Sequence, residues 1–218
     1  LLIAMLILPM GKTKAQDTDI GNWMIYFGNF SINERFAIHH EIQYRNWNIA
    51  GDLEQLLIRG GLQYKFADGK SRFTLGYGFI RSEPYIDEDE KMTINENRIY
   101  QEFLTRHKVG RVGFAHRYRF EQRWIENRDD MRLRYRYFLN VTVPINKTNI
   151  EQGAVYASAY NEIFIHGDGT LFDRNRVYGA LGYAIKDNLR VQAGYMTQVY
   201  QGEDNNRGQT NFSLHFNF

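Results

Sequence analysis

At residues 117–123 the side chains alternate, with Arg117, Arg119, Glu121 and Arg123 on one parity and Tyr118, Phe120 and Gln122 on the other. Guanidinium and carboxylate groups at every second position suit two kinds of chemistry. They can pair with one another through charge-assisted hydrogen bonds, or a surplus of guanidinium can hold an anion in its bidentate fork. The pattern recurs nearby: Arg98, Glu102 and Arg106 share one parity, and so do Arg132, Arg134 and Arg136. Arg59, Glu41 and Glu162 are further charged positions in alternating stretches. If all of them face a common interior, Arg–Glu–Arg ladders fill it and fix its register. The second reading is that excess positive charge lines a narrow path or pocket for an anion.

Nucleophilic and metal chemistry find little to work with. Ser213 lies two residues from His215 on one parity of the last alternating segment, which resembles a lipase pair loosely; polar lining is the simpler reading. His116 alternates with aromatic residues and reads as an interfacial side chain, and no G-x-S-x-G motif occurs. IDEDEK at 86–91 and GDG at 167–169 lack the ligand spacing of a calcium loop. No catalytic residue, metal site or cofactor is therefore assigned, and a lipid hydrolase is kept as a third class only.

The elements that carry these residues are strands. Successive side chains of a strand point to opposite faces, so a period of two is a strand signal. From Ile20 onward the sequence reads as strand, turn, strand, in segments near 20–30, 35–48, 53–66, 71–82, 94–107, 110–126, 131–144, 151–166, 174–186, 189–200 and 209–218. Most reach the ~9–11 residues of a tilted membrane strand, whereas soluble strands are usually ~5–6. Short turns (31–34, 67–70, 107–111, 145–149, 186–188) alternate with longer polar loops such as 82–93, 166–173 and 201–208. Short periplasmic turns and longer extracellular loops are the asymmetry of outer-membrane barrels. Such barrels have an even strand count, so about ten spanning strands are expected, with the first segment extra, or twelve as the alternative.

Facing follows from cost. In 53–66, Leu56, Ile58, Gly60, Leu62, Tyr64 and Phe66 oppose Leu57, Arg59, Gly61, Gln63 and Lys65; in 131–144, Leu133, Tyr135, Tyr137, Leu139, Val141 and Val143 oppose Arg132, Arg134, Arg136 and Asn140. A charge on a lipid-facing position near the midplane costs ~2–4 kcal/mol, so the arginines are expected to point into the lumen and the rings toward lipid. Trp23, Trp47, Tyr77, Trp124 and Tyr200 are expected in interfacial girdles. Mean hydropathy is −0.53 and no later apolar run approaches the ~20 residues of a membrane helix. A net charge of +2 gives no case for nucleic acid, and the absence of cysteine removes disulfides and thiolate metal sites.

The block LLIAMLILPM followed by GKTKAQ has the form of a secretory h-region and cleavage zone, so residues 1–16 are expected to be part of a signal peptide and 17–218 one barrel domain. The last segment ends on alternating Phe212, Leu214, Phe216 and Phe218, a terminal aromatic of the kind that marks outer-membrane proteins for insertion. In IGNWMIYFGNFSINERFAIHHEIQYRNW, RGGLQYKF, LGYGF, ENRIYQEF, RYRFEQRW and RLRYRYFLNV the chain resembles DUF2490, a family of uncharacterised outer-membrane barrels of Bacteroidetes. The resemblance implies an all-β transmembrane antiparallel barrel in the Gram-negative outer membrane and supplies no catalytic residues. Function is then expected to be that of a largely closed, Arg-lined structural or binding subunit of an envelope complex. A narrow, porin-like anion pore is the alternative. The expected neighbours are outer-membrane lipid, lipopolysaccharide and other envelope proteins.

Overall fold

The computed structural model describes residues 20–167, 171–201 and 207–218. The expected signal segment 1–16 lies outside them, as do residues 168–170 of the GDG stretch and 202–206 of the last polar connection. Eleven strands are formed: β1 Gly21–Ser31, β2 Phe36–Asn46, β3 Leu53–Lys65, β4 Arg72–Ser82, β5 Ile94–Val109, β6 Val112–Ile125, β7 Arg132–Pro144, β8 Val155–His166, β9 Phe172–Lys186, β10 Leu189–Tyr200 and β11 Arg207–Asn217. Each pairs with its sequence neighbours, and β1 meets β11 to close the barrel. The strands follow the segments read from the alternation, except that β8 starts at Val155 rather than 151, and within them proline occurs only at Pro144, where β7 ends.

The first segment is a full wall strand, which makes the count eleven where about ten were expected. Strands that alternate in direction cannot close an odd ring antiparallel throughout, so one seam must be parallel. That seam is β1–β11, with Gly21 beside Gln209 and Asn29 beside Asn217. The start of β1 and the end of β11 therefore lie at opposite mouths. β1 begins at the mouth bearing the connections 47–52, 83–93 and 126–131, where β8 and β10 also end: the loop end. β11 finishes at the other, the turn end, where the Ser31 amide donates to the Phe218 carbonyl at 3.3 Å. The turn read at 145–149 runs on to 154 before β8 begins, so the turn end is not uniformly short.

Polarity is inverted relative to a soluble sheet. Outward positions expose large apolar side chains, among them Ile58 at 47%, Leu62 at 52% and Leu181 at 61%. Inward positions bury charge, with Glu121 at 0% and Glu41 at 2%. Among the described residues, Arg81 near the loop rim of β4 is the charged exception on the outward parity of that wall, and it pairs with Glu83 at 2.7 Å. The outward amides find each other: Asn161 and Asn175 exchange hydrogen bonds of 2.8 and 3.2 Å, and Gln101 donates to Gln122 at 3.3 Å. Rings inside lie across glycines of the neighbouring strand. A Cβ on Gly76 would meet the Tyr100 ring at 2.2 Å, and one on Gly182 the Tyr156 ring at 2.3 Å, so these two positions need the bare backbone.

Candidate functional site

Alternation delivers to one lumen the charges that sit at every second position of each strand. On the wall formed by β5, β6, β7 and β8 they close into a ring. Glu121 meets Arg136 at 2.7 Å, Arg136 meets Glu162 at 2.6 Å, and Glu162 meets Arg117 at 2.6 Å. Arg117 lies 3.7 Å from Glu102, Glu102 binds Arg119 at 2.5 Å, and Arg119 lies 3.7 Å from Glu121. Every member touches two opposite charges, so no buried ion depends on one partner. Arg98 extends the ring toward the loop end, spanning Glu121 at 3.4 Å and Glu96 at 2.6 Å. Arg123 grips the same Glu96 from Nε and a terminal nitrogen, at 2.7 and 2.8 Å.

Across the lumen, Arg59 on β3 binds Glu41 on β2 at 2.7 Å, and His39 stands 3.6 Å from the same carboxylate. Near the loop end Asp173 receives Arg134 at 2.9 Å and Arg174 at 3.1 Å. Asp173 has no ladder partner, because Ile165 pairs with Phe172 and Phe164 with Arg174. This bulge turns two successive side chains inward, which strict alternation forbids. Aromatic faces carry the remaining guanidinium surface. Trp23 lies under Arg45 at 3.6 Å and Arg176 at 5.0 Å, and Phe164 under Arg136 at 4.5 Å.

Of the charges expected to share an interior, Glu41, Arg59, Arg98, Glu102, Arg117, Arg119, Glu121, Arg123, Arg134, Arg136 and Glu162 meet in this lattice. Arg106 faces the lumen near the turn end, away from it. Arg132 sits at the loop rim, a third exposed, 3.2 Å from Asp130. Trp23, expected in a girdle, is 2% exposed and points inward; the cation–π stack that needs it forms only inside. Glu96, Asp173, Arg45, Arg72, Arg174, Arg176 and Arg190 join the lumen without having been singled out. Extending the parity of Arg98 back by two residues reaches Glu96. Bulged Asp173 has no such signal.

The lattice lines the loop half and the middle, together with Gln55, Ser82, Ile94 and Ile125 near the loop rim. The turn half is lined by smaller groups, including Ala115, Thr142 and Ser158, beside Arg72, Arg106 and Arg190. A cavity of ≈ 1210 Å³ occupies the lumen, and arginines far outnumber carboxylates around it. Its wall takes in Gly69, Lys70, Thr148, Asn149 and Ile150 from the turn end, while none of the described residues of the long connections contributes. Ser213 and His215 face this half with Oγ and Nε2 3.1 Å apart, and His215 stacks on Phe27. Among the described residues no hydrogen bond reaches the other ring nitrogen, so the third group of a triad is not in place.

Residues 20–209, from β1 through β10 and into the start of β11, agree with one family model, protein of unknown function DUF2490. The chain belongs to that family. No curated protein and no solved structure matches it. For DUF2490 the fold seen here is an all-β closed barrel whose interior is a guanidinium–carboxylate lattice. None of the described residues forms a group of three or more His, Asp or Glu side chains suited to a metal ion.

Proposed function

We propose that this DUF2490 chain is an outer-membrane β-barrel whose lumen is closed across its loop half and middle by the ion-pair lattice, and that it works as a binding or structural subunit of the envelope. The carrying observation is the inverted polarity: rings and aliphatic chains cover the outside of a ring of strands whose charges lie within. In a bilayer the outer face meets acyl chains, and the outward amide pairs satisfy one another where water is scarce. Lipid and lipopolysaccharide are its neighbours on this reading, with the short-turn end toward the periplasm.

Closure is tested in planar bilayers. A lumen crossed by paired side chains is expected to pass no steady current. A steady, anion-selective current would support the second reading, a narrow anion-preferring pore, which the surplus of lumenal arginine favours.

A further inference from the structure

Among the described residues, five lumen-lining arginines pair with no carboxylate: Arg45 is held by Gln43 and Gln55 in the loop half, Arg111 by the Pro144 and Ile145 carbonyls, and Arg72, Arg106 and Arg190 remain in the turn half. Arg72 on β4 and Arg106 on β5 are diagonal neighbours, since Arg72 pairs with Leu104. Arg190 on β10 stands on the far wall, five strands away from β5 in one direction around the barrel and six in the other. Arg72, Arg106 and Arg190 nevertheless all line the same lumenal cavity. Among the described residues Arg106 makes no hydrogen bond or ion pair and is exposed to the cavity. The buried Nε atoms of Arg72 and Arg190 have no hydrogen-bond partner. Arg190 gives a terminal nitrogen to the Ile150 carbonyl at 3.3 Å. Glu102, four residues before Arg106 on the same parity of β5, has its Oε2 already held by Arg119 at 2.5 Å.

Three like charges aimed into one space repel each other, and a packed lattice a few residues away shows how this chain neutralises guanidinium elsewhere. Here none of the described carboxylates lies within ion-pair distance. We infer that the turn half of the lumen is a binding vestibule for a small, multiply charged oxyanion, a phosphate or phosphomonoester, entering from the turn end. Arg106 and Arg190 grip it from opposite walls and Arg72 from below. Guanidinium forks match phosphate oxygens in pairs, and a low-dielectric wall strengthens each contact. The Asn29 and His39 side chains, joined at 3.0 Å, and the Ser213–His215 pair offer further polar groups on the remaining side. The inference deepens the proposed closed barrel, in which a lumen crossed by the lattice makes the turn half a vestibule with one mouth.

The test uses the full chain refolded in detergent micelles and titrated with inorganic phosphate and, separately, glycerol 3-phosphate, followed by calorimetry. Saturable binding is expected for at least one. Phosphate alone identifies the bare ion, and tighter glycerol 3-phosphate identifies a phosphorylated solute. Arg106→Gln and Arg190→Gln should each weaken binding about tenfold or more, the equivalent of one lost charge-assisted contact. Arg35→Gln, on the exposed turn between β1 and β2, should leave it unchanged. Chloride at the same concentration should not compete. Absence of saturable binding in wild type, equal competition by chloride, or binding that survives both substitutions would overturn the inference. Unaltered circular dichroism of each variant guards against misfolding. A steady bilayer current with binding intact would instead remove the closed-lumen reading and leave the site standing.

Discussion

Glu121→Ala is expected to destabilise the folded barrel by about 3–5 kcal/mol, the cost of breaking a buried ion pair from one side. The residue is wholly buried and its carboxylate gathers Arg136 at 2.7 Å, Arg98 at 3.4 Å and Arg119 at 3.7 Å. Alanine removes the negative charge and leaves three guanidinium groups facing one another in a space shut off from water. Ring closure limits the damage, because Arg136 and Arg119 keep Glu162 and Glu102. A rim pair provides the scale: Arg81 is 48% exposed beside Glu83, so Glu83→Ala should cost no more than about 1 kcal/mol. Urea titration of refolded protein in lipid vesicles measures both. Adding Arg136→Met to Glu121→Ala should recover part of the loss, since one of the three mutually repelling cations is removed. If the double variant were less stable than the single by the full value of a second pair, charge balance would not be what holds this wall.

The second large effect is on the outside. Ile58 lies near the middle of β3, 47% exposed, opposite Ile42 on β2 and Phe79 on β4. Ile58→Arg is expected to lower stability in a bilayer by about 2–4 kcal/mol, the depth-dependent penalty for a cation on a lipid-facing midplane position. Its neighbour Arg59 carries the same group one residue along, yet it turns inward and meets Glu41 at 2.7 Å. The contrast isolates facing from composition. On a sheet whose outer face met water, the same substitution would fall within about 0.5 kcal/mol of neutral, as exposed substitutions away from special features do.

How much of this was legible in sequence depended on whether alternation separated polar from apolar. In β6 and β7 it did: Arg117 to Arg123 and Arg132 to Arg136 fall on one parity, and the strands, their facing and most of the lattice followed. In β1 both parities are apolar. Trp23, Ile25 and Phe27 look no different from Met24, Tyr26 and Phe30, so the inward turn of Trp23 was hidden. All eleven segments were legible, but that the first completes the wall was not, because its partner is β11, nearly two hundred residues away and parallel to it. No local pattern encodes a seam. Bulges broke parity at Asp173, an event that depends on cross-strand register rather than on residue type. The vestibule arginines needed three-dimensional proximity between β5 and β10, which periodicity within one strand does not contain.

Cysteine is absent from the chain, so a single introduced thiol reports its own surroundings without background. Leu62→Cys sits outside on β3, and Gln192→Cys lines the lumen on β10. Both variants would be refolded into lipid vesicles with a water-soluble maleimide on both sides of the bilayer. Gln192→Cys should be modified, while Leu62→Cys stays unreacted until detergent dissolves the lipid or a lipid-soluble maleimide is supplied. Rapid aqueous labelling of Leu62→Cys with Gln192→Cys protected would mean that water, not acyl chain, bathes the ring-covered face, and the inverted arrangement would be wrong.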